Sequence, residues 1–115
     1  MKIKKSQIVP LLKTLVLFDE DTKQEKSGLL TEKIPMSLRR RLQRIRADIL
    51  VEYHKLVKEE NDLKERASKE EFEKELDILV NEEVDIKQDF VSLDMIEAIE
   101  TSVNYDFELI ELIAK

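Results

Sequence analysis

The sequence predicts a mainly α protein: a long antiparallel helical hairpin of coiled-coil or prefoldin-like kind, with short flanking helices and room for a small two-stranded β-sheet. Three observations lead there. First, residues 35–66, PMSLRRRLQRIRADILVEYHKLVKEENDLKER, place Leu42, Ile49, Leu56 and Leu63 at seven-residue intervals. Leu38 and Ile45 add the alternating row of the same seam, and nothing after Pro35 breaks the run. Second, 40% of the residues are charged and there is one Gly, a profile of long helices with solvated faces rather than of sheets and tight turns. Third, Ser68-Lys69-Glu70-Glu71 reads as a capping box that ends one long helix and starts another.

In chain order, Met1 to Lys5 alternates around Ile3 and reads as a short edge strand. Ser6 is then placed to cap a helix with Ile8, Leu11, Leu12, Leu15 and Val16 on its apolar face, ending near Phe18. Pro10 falls in its first turn, where a missing N–H costs little. Residues 19–34 hold the Gly and no sustained period. They read as a long loop, with Leu29, Leu30 and Ile34 available to pin it. The hairpin occupies 35–82, its second arm showing Phe72, Leu76 and Leu79 on one face. Val84, Ile86 and Phe90 alternate with charged residues as a strand of about six residues would, with Met1 to Lys5 the natural partner. Ser92 caps a short helix through Ile99, and Asn104 is placed to cap a last one whose Tyr105, Phe107, Leu109, Ile110, Leu112 and Ile113 call for docking. All 115 residues fit one domain.

The composition narrows the function classes. Without Cys there is no disulfide framework or thiolate site. The basic-then-apolar opening is interrupted by Pro10 and Lys13 and followed by Asp19, Glu20 and Asp21, unlike a signal peptide. No apolar run approaches the length of a membrane span, so a cytoplasmic chain with no membrane partner is expected. Residues 1–46 carry 12 Lys/Arg against 5 Asp/Glu, and residues 47–115 carry 8 against 21. Such asymmetry suits one half folding on the other, or oppositely charged surfaces meeting between subunits. The net charge of −6 disfavours broad nucleic-acid affinity.

The opening MKIKKSQIV, the long charged central helix and the tail NEEVDIKQDFVSLDMIEAIETSVNYDFELIELIAK together resemble a family of small helical proteins of tailed phages and prophages with no assigned function. The resemblance implies a similar order of elements and no transferable functional residue. A helical hairpin beside short strands also looks like the prefoldin architecture, which by analogy of shape implies an assembling or chaperone-like role.

No catalytic, cofactor or metal site is expected. His54 is the one histidine and has no companion ligands at metal-site spacing. Acidic pairs such as Glu59/Glu60, Glu70/Glu71 and Glu82/Glu83 have i,i+4 lysines, as in Glu60–Lys64 and Glu70–Lys74, and read as solvated faces. Nucleophile elbows, phosphate loops and calcium loops are missing.

Arg39, Arg40, Arg41, Arg44 and Arg46 do demand an explanation, because a helix start disfavours cations. Pairing with acids of the third helix, the tail or another subunit is the leading account. Phosphate binding along nucleic acid is the alternative, without an interleaved aromatic to stack a base. The expectation is therefore a non-enzymatic interaction or assembly protein, a homo-oligomer that also leaves room for an acidic protein partner. Leu42, Ile49, Leu56 and Leu63 would form the seam, either within the chain's own hairpin or, as the uncovered length of the helix favours, between subunits, and Arg39, Arg40, Arg41 and Arg44 the charged contact.

Overall fold

The structure, a computed structural model, describes residues 1–18 and 21–115. Helix α2 (Met36–Arg66) has 31 residues. At 1.5 Å per residue that is about 46 Å, nearly the whole long dimension of a molecule measuring 48 × 33 × 21 Å. Pro35 stands at its N-cap without a side-chain cap, and Lys64 and Arg66 in its last turn face the negative end of the helix dipole.

The apolar row of α2 is covered by the chain itself. Leu38, Leu42, Ile45, Ile49, Leu56 and Leu63 are each 5% exposed or less. Of the two covers open to Leu42, Ile49, Leu56 and Leu63, a second subunit and the chain itself, the favoured subunit contact is corrected here: they are interior residues. The reason lies in what covers them. Helix α1 (Ile8–Leu15) supplies Ile8, Leu11 and Leu15. The rest of the cover is Ile3, the turn at Leu29 and Leu30, and the C-terminal Ile86, Val91, Ile96, Ile110 and Ile113. Helix α1 alone would leave the seam open; short segments from both ends of the chain, including the brief helices that carry Ile96 and Ile110, close it.

Strands β1 (Lys2–Lys4) and, after α3, β4 (Glu83–Asp85) pair antiparallel with Ile3 opposite Val84. β4 is shorter than the alternation suggested, although the buried Ile86 still donates to the Met1 carbonyl at 2.7 Å and accepts from the Met1 ammonium at 2.9 Å. Ser6 is not a cap: it lies in a 3-10 turn, Lys5–Gln7, and Gln7 Oε1 accepts from the Lys4 amide at 2.8 Å. α1 keeps Pro10 in its first turn and ends at Leu15, since Val16 is already extended.

The expected loop of 19–34 is more ordered than read, apart from Asp19 and Glu20, which lie outside the described residues. β2 (Leu17–Phe18) pairs antiparallel with β3 (Glu25–Ser27), and a 3-10 turn at Leu29–Thr31 buries Leu29 and Leu30. Gly28 joins ribbon to turn at φ 127°, and a Cβ there would stand 2.5 Å from the Leu15 carbonyl oxygen. Conformation and contact both require glycine.

α3 (Lys69–Asn81) starts at the predicted break, where Ser68 Oγ accepts from the Glu71 amide at 3.3 Å. α4 (Leu93–Glu97) is capped by Ser92, whose Oγ accepts from Met95. α5 (Phe107–Ile110) is capped by Asp106 rather than Asn104, Asp106 Oδ1 accepting from Glu108 at 2.9 Å. The tail is docked through Val91, which donates to the Ile113 carbonyl at 3.0 Å and accepts from the Lys115 amide at 3.1 Å. α3, at 13 residues, accompanies only the final turns of α2.

Two substitutions test this account by thermal or denaturant unfolding. Gly28→Ala should cost about 1–3 kcal/mol through strain at positive φ and the clash with Leu15. Leu42→Ala should cost about 2–5 kcal/mol, the cost of an interior site, with no change in solution mass.

Candidate functional site

Three constructions bring charged side chains together, and two of them lie at opposite ends of α2. At the N-terminal end, the five arginines divide into two groups. Arg39 and Arg46 turn inward. Arg39 donates through Nη1 to the Leu30 carbonyl and through Nη2 to the Glu32 carbonyl at 3.0 Å, tying the 3-10 turn to the first turns of α2. Arg46 sits over the Phe18 ring at 5.7 Å, and its Nε is buried with no hydrogen-bond partner among the described residues. Both line a cavity of about 190 Å³ with Gln43 and Glu25, bounded by Val16 and Leu50.

Arg40, Arg41 and Arg44 are exposed, and among the described residues none of them makes an ion pair. The expected pairing of the cluster with acids of the third helix or tail is thus not found among the described residues. Arg39 is spent on backbone carbonyls, and α3 lies beside the far end of α2.

At that far end α2 and α3 diverge around a cleft of about 580 Å³. Glu59, Asp62, Glu65, Glu75 and Glu82 line it with Arg66, over an apolar floor of Leu63, Leu79 and the 66%-exposed Ile78. The helical break at Ala67 creates this cleft: an extended residue between two amphipathic helices lets them splay while their carboxylates face one another.

Lys5 closes the cleft from beneath. Its Nζ lies 3.0 Å from both Glu59 Oε2 and Glu82 Oε2, and its own amide donates to the Glu82 carbonyl at 2.9 Å. Burial pulls the ammonium down, but hydrogen bonds and charge from the two carboxylates outweigh that and hold it above its ordinary value. Asp62, Glu65 and Glu75 have no ion pair among the described residues. The i,i+4 pairs Glu60–Lys64 and Glu70–Lys74 are likewise not closed; the helix pair within reach is Lys55–Glu52 at 3.4 Å.

A third construction holds the tail. Glu32 Oε1 accepts from Thr101 Oγ1 at 2.7 Å and from the Tyr105 hydroxyl at 2.8 Å. Desolvation, then the carboxylate it donates to, pushes the Tyr105 phenol up to about 12. His54 is exposed with its ring 5.6 Å from that of Tyr53, and no three His, Asp or Glu converge on a metal position among the described residues. Among the described residues, no helix is long and apolar enough to cross a membrane.

Sequence reasoning found the arginine end of α2 but not the acidic cleft. Its acids were read one pair at a time, and only the splay at Ala67 gathers residues 59–66 with 75–82. Lys5 was hidden in the N-terminal strand, its partners lying 54 and 77 residues away. Compared with protein-family models, curated proteins and solved structures, the chain has no match in any of the three. None of the three supports the resemblance to phage and prophage proteins.

The pH consequence of the two shifted groups has one sign. Both fold with raised values, so the stability they lend is complete below the ordinary values of 10.5 for Lys5 and 10.0 for Tyr105. It is lost as pH rises through the folded ones. Unfolding free energy should fall above about pH 10, and Tyr105→Phe should remove the phenolate absorbance that appears near pH 12 in the folded protein.

Proposed function

We propose that this protein is a non-enzymatic interaction or assembly protein that works by joining oppositely charged helix surfaces. The observation that carries the reading is the separation of uncompensated charge along α2. Exposed Arg40, Arg41 and Arg44 stand at one end, and the carboxylate-lined cleft at the other. Charged surfaces left without internal partners steer association and set its register more than its strength. The apolar floor at Leu63 and Ile78 offers a partner some area to bury beneath the charges.

Nothing in the cleft favours chemistry. Its carboxylates and Arg66 are open to water, and Lys5 beside it is held by two of its acids, Glu59 and Glu82. A chaperone-like variant of the reading, holding clients between a prefoldin-like α2–α3 pair, would appear as suppressed aggregation of an unfolded protein.

Nucleic-acid binding is the second reading, favoured by the three exposed arginines alone. It requires retardation of DNA or RNA that fades with salt; no retardation at low salt removes it.

Light scattering at about 50 mM and about 500 mM salt, where screening differs by roughly threefold in length, tests the main reading. Self-association at the lower salt that weakens at the higher is expected. A monomer under both conditions at millimolar protein would overturn assembly by this surface.

A further inference from the structure

The cleft between α2 and α3 differs from the solvated faces of both helices in having an apolar floor. Leu63 and Leu79 are buried in it, and Ile78 stands beside them with two-thirds of its surface in water. Its rim is acidic and only partly answered. Lys5 holds Glu59 and Glu82, while Asp62, Glu65 and Glu75 are exposed and make no ion pair among the described residues. Arg66 is the cation among the lining residues.

That order of surfaces fixes the chemistry of an occupant. Among the described residues no three acids converge on one metal position, so the negative charge is spread along the rim rather than focused. Spread carboxylates match several cations carried by one ligand. The floor between them calls for apolar side chains on that same ligand, to take Ile78 out of water. The volume, about 580 Å³, is that of a cleft which takes up several side chains. A helix with Lys or Arg flanking an apolar stripe meets all three conditions, and a furrow between two splayed helices is where such a helix seats.

We infer that the α2–α3 cleft is the docking site of a basic amphipathic helix from another protein. Its apolar stripe covers Leu63, Ile78 and Leu79, and its cations face Asp62, Glu65 and Glu75. The basic end of α2 is not that helix, because its own apolar stripe, Leu38, Leu42 and Ile45, is already buried within this chain. The inference rests on the interaction reading and names the partner's chemistry, but it does not require self-association.

The probe is a synthetic peptide of about 14 residues, roughly four turns, with leucine at helical spacing and lysine elsewhere. At about 50 mM salt it should bind by fluorescence anisotropy, and on the unmodified chain its amide shifts should centre on residues 59–66 and 75–82. Glu75→Lys and Ile78→Ser should each weaken binding by about tenfold or more. Glu73→Lys, at an exposed position of α3 outside the cleft, should change it by less than about twofold. Circular dichroism checks that each variant keeps its helix content.

Equal losses from Glu73→Lys and Glu75→Lys, full binding by Ile78→Ser, or shifts spread beyond the two segments would mean diffuse attraction and overturn the site. Spermine bound as tightly as the peptide overturns it in favour of a small polycation. Self-association abolished by Glu75→Lys, with no peptide binding, makes a second copy the occupant; the inference then fails and the assembly reading stands. Peptide binding by a chain that stays monomeric does the reverse.

Discussion

The constraint on which this molecule depends is the cost of leaving a long apolar row in water. Six Leu and Ile side chains along α2 are each worth about 1.5–3 kcal/mol when buried, and a helix about 46 Å long offers them over more distance than one neighbouring helix can cover. The chain answers with pieces from both ends. α1 and Ile3 come from the N-terminal side, and Ile86, Val91, Ile96, Ile110 and Ile113 from the other. The short β1–β4 pair and the bonds between Val91 and the C-terminal residues fix those pieces at positions where their side chains reach α2. Very little regular structure is needed beyond that. The strands are three residues long, and they locate rather than bear the core.

That solution has an electrostatic consequence. Covering is concentrated on the first two-thirds of α2, so its last turns share only α3, and the two helices separate where the carboxylates of both would otherwise crowd. Lys5 relieves the base of this separation by meeting Glu59 and Glu82 together. Farther out, Asp62, Glu65 and Glu75 rely on water. The same segregation leaves the basic end of α2 with exposed arginines, because the tail that packs near it brings apolar groups rather than acids. Burial was satisfied within the chain, while charge was not.

How much of this was legible follows from the range of each interaction. The extent of α2, the Ser68 and Ser92 caps, the Ile3–Val84 pairing and the docked tail rest on signals within one helix, one turn or one alternating run. The β2–β3 ribbon carried no such signal: Glu25, Lys26 and Ser27 are polar, and only pairing with Leu17 and Phe18 makes them a strand. Asp106 displaced Asn104 as a cap by a two-residue shift that both side chains would allow. The fate of the seam turned on contacts between residues far apart in the chain, as did Lys5 with its partners. A heptad row announces that something covers it without saying what. For that reason Leu42, Ile49, Leu56 and Leu63 were legible as a seam whose cover, the chain itself or a second subunit, stayed open.

The geometry of α2 also explains why its two ends offer different surfaces. A seven-residue repeat falls short of two full turns and drifts backwards by about 20° per heptad on a straight helix. An eleven-residue spacing, that of the exposed Arg40, Val51 and Asp62, slightly exceeds three turns and drifts forwards by a similar amount, roughly 20°. The buried row and the exposed line therefore approach one another along the helix. Near the start they are almost opposite, so Arg40 and Leu42 point apart and the arginine end is polar except for the exposed Met36. Near the end Asp62 and Leu63 are adjacent, and the charged line runs directly beside an apolar floor. A partner arriving at the acidic end can exclude water from its ion pairs by covering Leu63 and Ile78, whereas the basic end gains that shelter only by being the part that is inserted.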